Sequence, residues 1–258
     1  MILDNRVALI TGAGRGIGRA IALGYAREGA RIAAVARSET ELQSLAEEVR
    51  NLGSSAITIA ADLADPAAPA KLCREVESSL GPIDILVNNA GVGSSANPRP
   101  LASFDDEFWH YTLALNLSCP YYFCRAVLPG FLQRKSGRIL NIASIASKMP
   151  MMHGIAYAAS KHGLLGLTRT LALEVAKDGI TVNAICPGPV RTLINDKRIQ
   201  YDAERLGITV AEVEARSTPI GRRLTPEEMV PMAVLLASDA AACITGQSFN
   251  VCGGLLMS

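Results

Sequence analysis

Three groups of residues in this chain have types and spacings that can do chemistry. The first is Tyr157-Ala158-Ala159-Ser160-Lys161. On a helix, residues four apart share a face, so a phenol and an ammonium stand together. A phenol with a pKa of about 10 is a poor acid–base catalyst at neutral pH. A cation beside it stabilises the phenolate and lowers that value. Ser144 closes the apolar run before this helix and is placed to hydrogen-bond a carbonyl oxygen. A surface Tyr–Lys pair without a catalytic role is the alternative that this spacing leaves open. The second group is Thr11-Gly12-Ala13-Gly14-Arg15-Gly16-Ile17-Gly18, between an apolar run and a helical one. Glycines let the backbone turn tightly and let a ligand approach without meeting a Cβ. The helix that follows offers unpaired N–H groups to an anion. Such a turn can also be purely structural. The third group, Asn88-Asn89-Ala90-Gly91 and Pro187-Gly188, follows two further apolar runs. The asparagine side chains can also satisfy backbone groups between neighbouring strands.

The elements that must position these residues are legible as alternating patterns. Apolar runs at 7–10, 32–36, 56–61, 83–87, 139–143, 181–185 and 248–251 predict seven strands. Helical periodicity fills 19–26, 40–51, 66–80, 104–134 (with a break near Pro120), 157–177 and 225–237. Leu42, Leu45, Ala46 and Val49 form one apolar helix face. Thr225-Pro226-Glu227-Glu228 reads as a helix start. The strands are continuous apolar runs, as burial on both faces requires. The fold class expected is α/β, a doubly wound parallel sheet of seven strands with helices on both faces, as one domain over residues 1–258. In such sheets ligands bind beyond the carboxyl ends of the strands, where Gly12 to Gly18, Arg37, Asp62, Asn88 to Gly91, Ser144 and Pro187 to Thr192 fall. Residues 191–218 are polar and charged and read as an excursion from the core.

Composition excludes other classes. A net charge of +1 gives no electrostatic case for nucleic acid or an anionic membrane. No apolar run reaches the about 18 residues of a membrane span. The first residues lack the order of a signal peptide. The six cysteines have neither C-x-x-C spacing nor a histidine at metal spacing, so no metal site is expected. Buried free thiols in a reducing, cytoplasmic setting are the expectation.

Taken jointly, Thr11-Gly12-x-x-x-Gly16-x-Gly18, Asn88-Asn89-Ala90-Gly91, Asn116, Ser144, Tyr157-x-x-x-Lys161 and Pro187-Gly188 resemble the short-chain dehydrogenase/reductase family over essentially the whole chain. The resemblance implies a Rossmann-type fold, a nicotinamide cofactor and catalysis by Asn116, Ser144, Tyr157 and Lys161. Tyr157 would protonate a developing alkoxide as hydride arrives from the nicotinamide. Ser144 would polarise the carbonyl. Lys161 would bind the nicotinamide ribose and depress the Tyr157 pKa. Asn116 would hold a water linking Lys161 to solvent. The cofactor would lie along Gly12, Gly14, Arg15, Gly16, Ile17 and Gly18. Asp62 and Leu63 would flank adenine. Asn88, Ala90, Gly91, Tyr157 and Lys161 would meet the riboses, and Pro187, Gly188, Val190 and Thr192 the carboxamide. The resemblance also implies a homotetramer built on the two long helices and the last strand.

The end of the second strand sets the nucleotide preference. Ala36 stands where an acid would hydrogen-bond the ribose hydroxyls of NAD(H). Arg37 and Ser38 follow, Arg15 adds a second cation, and no carboxylate opposes them locally until Glu39. NADP(H) is therefore expected, with NAD(H) the alternative. The resemblance makes residues 191–218 a substrate lid, with Leu193, Ile194, Ile199, Tyr201 and Leu206 available to cover an apolar substrate. The tail is similar to 3-oxoacyl-carrier-protein reductases and closer to polyketide ketoreductases. Of the two basic docking positions of the former, Lys135 occupies one and Asp178 the other. His153 reads either as a substrate contact or as a loop residue. The function expected is NADPH-dependent reduction of a 3-oxoacyl thioester or other hydrophobic ketone. The alternative is oxidation of a secondary alcohol, sterol or sugar.

Overall fold

A computed structural model describes residues 1–257. Seven parallel strands form one sheet in the order β3-β2-β1-β4-β5-β6-β7. They are β1 Val7–Thr11, β2 Arg31–Ala36, β3 Ala56–Ala60, β4 Ile85–Asn88, β5 Gly137–Ile142, β6 Ile180–Pro187 and β7 Ser248–Val251. The helices are α1 Gly16–Arg27, α2 Glu39–Asn51, α3 Ala68–Leu80, α4 Asp106–Leu113, α5 Cys119–Arg134, α6 Ile155–Val175, α7 Leu193–Leu206, α8 Val210–Ala215 and α9 Val230–Ala237.

Successive strand residues point to opposite faces, which explains the two cores. Ala8 and Ile10 of β1 pack with Tyr25 of α1, Leu45 of α2 and Ala233 of α9. Val7 and Leu9 pack with Leu72 of α3, Phe123 of α5 and Leu171 of α6. The α2 face of Leu42, Leu45, Ala46 and Val49 is buried as its periodicity predicts. The strand order reverses between β1 and β4, and a crevice opens there beyond their carboxyl ends.

The long helix expected over 104–134 is interrupted earlier than Pro120. Ala114–Ser118 is a π-helical turn between α4 and α5. Pro120 has no N–H to give to the turn before it, and its ring crowds that turn. The ladder widens instead, and Asn116 turns inward at the widened point, 1% exposed. The helix expected from Thr225 begins as a 3₁₀ turn, Pro226–Met229, capped reciprocally by Thr225 and Glu228. The excursion over 191–218 is largely the α7–α8 pair, each helix capped by a threonine, Thr192 and Thr209.

Candidate active site

The crevice is a cleft of about 1160 Å³ running from the glycine turn to α7. At one end the chain from β1 crosses to α1. Gly12 and Gly16 hold φ of +65° and +56°, a region costly to side chains. A Cβ at Gly12 would stand 2.9 Å from the Ala90 backbone. A Cβ at Gly18 would run into the Gly12 carbonyl and the Asn89 amide. The turn is stitched to β4 through Thr11, whose Oγ1 accepts from the N–H groups of Asn89 and Ala90, both at 3.0 Å. Asn89 returns its amide hydrogens to the carbonyls of Thr11 and Gly12, at 2.9 and 3.0 Å. Asn89 therefore has the structural role that its neighbourhood of strand ends left open.

No side chain caps the start of α1, and its first turn has no acid. The N–H groups there face the cleft past glycines, so the turn fits a diphosphate without a steric obstacle. Arg37 is exposed and has no hydrogen bond or ion pair among the described residues. Arg15 is paired with Glu41, Nη1 to Oε1 at 3.3 Å. Glu41 was not among the residues singled out in the sequence, where Glu39 was the nearest acid. In the structure Glu39 turns to Gln43, while Glu41 lines the cleft. Only the helical phase of α2 distinguishes the two, and that phase depends on where the Ser38 cap starts the helix.

At the other end, β5 delivers Ser144 and α6 delivers Tyr157 and Lys161 to the cleft floor. Ser144 caps a 3₁₀ turn, Ile145–Ser147: its Oγ accepts from the Ala146 N–H at 3.1 Å, and its own N–H donates to Ser147 Oγ at 3.2 Å. That bond pins the oxygen and leaves the hydroxyl proton for a partner. Lys161 is 5% exposed and donates to the Ile142 carbonyl at 2.7 Å. Burial pushes its ammonium down to about 8. Its Nζ lies 5.8 Å from the centre of the Tyr157 ring. Burial dominates and raises the phenol above its ordinary value, and the opposing hydrogen bond comes from Ser144.

Of the residues expected at the site, Gly12, Gly14, Arg15, Gly16, Ile17, Arg37, Ser38, Asp62, Leu63, Ala90, Gly91, Ser144, Tyr157, Lys161, Pro187, Gly188, Val190 and Thr192 line this one cleft. Gly18, Asn88 and Asn116 do not. Gly18 packs beneath the turn. Asn88 donates its amide to Asn141 Oδ1 at 2.9 Å, inside the sheet. Asn116 accepts from the Val92 N–H at 2.8 Å and donates to the Val92 carbonyl at 2.9 Å and to Ser160 Oγ at 3.1 Å. Ser160 in turn donates to the Tyr157 carbonyl at 2.7 Å, so Asn116 braces α6 from behind.

The wall formed by α7 and the loop before α6 is mixed. Met149, Met151, Ile194 and Leu206 are apolar lining, but Arg198, Asp202 and Arg205 line it too. Arg198 grips Asp202 at 2.7 and 3.0 Å and reaches the Met152 carbonyl at 3.0 Å. Tyr201 does not line the cleft. Its hydroxyl meets His153 Nδ1 at 2.5 Å, which ties α7 to the loop before Tyr157. His153 accordingly joins the loop to α7.

The sequence profile described as short chain dehydrogenase matches residues 6–202. The chain belongs to the short chain dehydrogenase family. A relative from Streptomyces violaceoruber, provisionally assigned as ketoacyl reductase 1 of the granaticin polyketide synthase, is 40% identical over 254 residues, 96% of this chain and 92% of that protein. A variant of the actinorhodin polyketide ketoreductase with NADPH superposes with a TM-score of 0.92 at 38% identity, covering 97% of each chain. A Beutenbergia cavernae protein provisionally assigned as an NAD(P)-dependent gluconate 5-dehydrogenase, with bound NADP, has a TM-score of 0.90 at 43% identity, covering 99% of this chain and 98% of that one. As a short chain dehydrogenase, this protein is an NAD(P)-dependent oxidoreductase acting on CH–OH groups. Among the described residues no helix is long and apolar enough to cross a membrane, and no cluster could hold a metal ion. All six cysteines are free, and only Cys243 is exposed.

Proposed function

We propose that this short chain dehydrogenase uses NADPH to reduce a ketone, a 3-oxoacyl thioester or another hydrophobic ketone, to a secondary alcohol. The observation that carries this reading is the convergence of Ser144, Tyr157 and Lys161 on the floor of the cleft that begins at the uncapped glycine turn. When bound, the nicotinamide supplies the hydride. Ser144, its oxygen pinned by the Ala146 N–H, donates to the substrate carbonyl oxygen. Tyr157 gives its proton to that same oxygen as negative charge develops, and solvent later restores it. The phenol carries its proton at neutral pH, and the hydrogen bond from Ser144 opposes the rise that burial causes. Lys161 supplies positive charge at the floor, and Asn116 positions Tyr157 through Ser160. Met149, Met151 and Leu206 provide apolar cover for an acyl chain.

The cofactor preference follows from Ala36, Arg37 and Ser38. With Ala36 in place of an acid and a guanidinium on Arg37 that has no partner among the described residues, a 2′-phosphate is favoured there. The ketoreductase and the gluconate dehydrogenase compared above, each described with NADPH or NADP, support this. Steady-state reduction of a 3-oxoacyl thioester is expected to favour NADPH over NADH by about tenfold or more in kcat/KM, the scale of one charge-assisted hydrogen bond. Arg37→Asp should move the preference toward NADH. A tenfold preference of the wild type for NADH would reject the assignment.

The pH profile gives an independent check. Reduction needs the protonated acid and the cation, and Lys161 loses its charge as pH rises through about 8. The kcat/KM for reduction is therefore expected to be flat below neutrality and to fall above about 8. A profile that rises across that range would contradict the assigned roles.

A second reading has its own observation. Arg198, Asp202 and Arg205 put hydrogen-bonding groups on the lid wall, which favours a hydroxylated or acidic substrate. Oxidation of a sugar-derived alcohol is that reading. Comparing 3-oxoacyl thioesters with gluconate, each with its proper cofactor redox state, separates the two.

A further inference from the structure

The adenosine end of the cleft holds a carboxylate where the nucleotide reading places cations only. Glu41 occupies the third position of α2, in phase with the glycine turn. One of its oxygens is 3.3 Å from Arg15 Nη1, and the other is 2.7 Å from where a Cβ on Gly14 would stand. The absence of a side chain at Gly14 is what lets this carboxylate lie against the turn. Arg15 is more than half exposed at 56%, and Glu41 is 34% exposed, so both can turn toward a ligand in the cleft. Ser38 caps the helix through the Glu41 N–H alone, at 3.3 Å, and makes no demand on the Glu41 side chain. Arg19, the next cation along, is engaged elsewhere, with Glu48 at 2.8 Å and the Glu41 carbonyl at 3.2 Å.

We propose that Glu41 is a specificity-determining residue that weakens the preference for a 2′-phosphorylated nucleotide. Its carboxylate holds Arg15 in an ion pair and presents negative charge to the same space that Arg37 and Ser38 open to a phosphate. A 2′-phosphate carries about −1.5 to −2 charges at neutral pH and must compete with Glu41 for Arg15. A ribose with a free 2′-hydroxyl meets no such conflict. It also finds in Glu41 an acceptor that Ala36 cannot supply. The enzyme is thereby tuned toward tolerance of both nucleotides, with Arg37 pulling one way and Glu41 the other. This rests on the nucleotide-binding reading of the cleft.

Binding of NADP⁺ and NAD⁺ to wild type, Glu41→Gln and Glu41→Ala, measured by calorimetry at fixed ionic strength, tests it without turnover. Both variants are expected to raise the affinity ratio of NADP⁺ to NAD⁺ by about fivefold, the upper scale of a partly exposed ion pair. Arg15→Ala should cost little NADP⁺ affinity in wild type, where Arg15 is already occupied. It should cost several-fold more in the Glu41→Gln background. A ratio unchanged within about twofold in both variants, with thermal melting unaltered, overturns the proposal. The wild-type ratio separately reports on NADP(H) preference: a wild type that favours NAD⁺ would end that reading, and a shift on removing Glu41 would still support this one.

Discussion

Tyr157→Phe is expected to abolish ketone reduction by about 10²–10⁴-fold in kcat, the range for loss of one positioned general acid. Nucleotide affinity and melting temperature should stay close to wild type. The physical reason is the local geometry. The ring remains beside Lys161 and keeps its packing, and only the oxygen proposed to share a proton with substrate is removed. Ser144 stays pinned by the Ala146 N–H and continues to polarise the carbonyl, so a residual rate is expected. Single-turnover kinetics with bound nucleotide checks this, because it isolates the chemical step from binding. Turnover within tenfold of wild type would remove Tyr157 as the proton donor. Loss of nucleotide binding would mean instead that the substitution had disturbed the floor of the cleft.

Gly18→Ala is expected to be the most damaging single-methyl change in the glycine turn. Its Cβ would meet the Gly12 carbonyl and the Asn89 amide, which are themselves joined by a hydrogen bond at 3.0 Å. Neither can retreat without breaking the stitch between β1 and β4. A cost of about 1–3 kcal/mol is expected from overpacking. That corresponds to a fall in melting temperature of roughly 2–4 °C per kcal/mol for a domain of this size. Nucleotide affinity should fall with it. Gly14→Ala gives the contrast. Its Cβ meets the Glu41 carboxylate, 2.7 Å from Oε2, which can swing away, and the Glu41 Cβ at 3.1 Å, which must give by only a few tenths of an ångström; the Ala36 Cβ at 3.5 Å is an ordinary contact. Its cost in stability should be a small fraction of that of Gly18→Ala. Calorimetric melting and NADP⁺ titration of both variants decide the matter. Equal losses would show that the turn, and not the Gly18 contact, is the sensitive feature.

Much of this protein follows from the sequence because the relevant physics is local. A buried parallel strand must be a continuous apolar run, so seven strands stand out along the chain. Glycines, caps and the four-residue spacing of Tyr157 and Lys161 act within a turn or two. Residues that close the strands at one sheet edge were therefore identifiable as one site before any contact was known. The tertiary structure decided what depends on helical phase, burial and competition between partners. Asn116 reads as a participant from its place in the motif. The π turn before Pro120 sets its side chain on Val92 and Ser160, behind Tyr157. Lys161 reads as the group that lowers the Tyr157 pKa. Burial acts on both residues, raising the phenol and lowering the ammonium, while the ammonium donates to the Ile142 carbonyl. Tyr201 and His153 read as a lid residue and a possible contact, and they pair with each other. Glu41 carries no signal in the sequence beyond an acid in the first turn of a helix. Its place against Arg15 arises only when α2 packs beside the glycine turn. The sequence alone determined which residue types meet at the sheet edge. The packing of helices against that edge decided which of them face the ligand, because a rotation of one residue along a helix turns a side chain through about 100°.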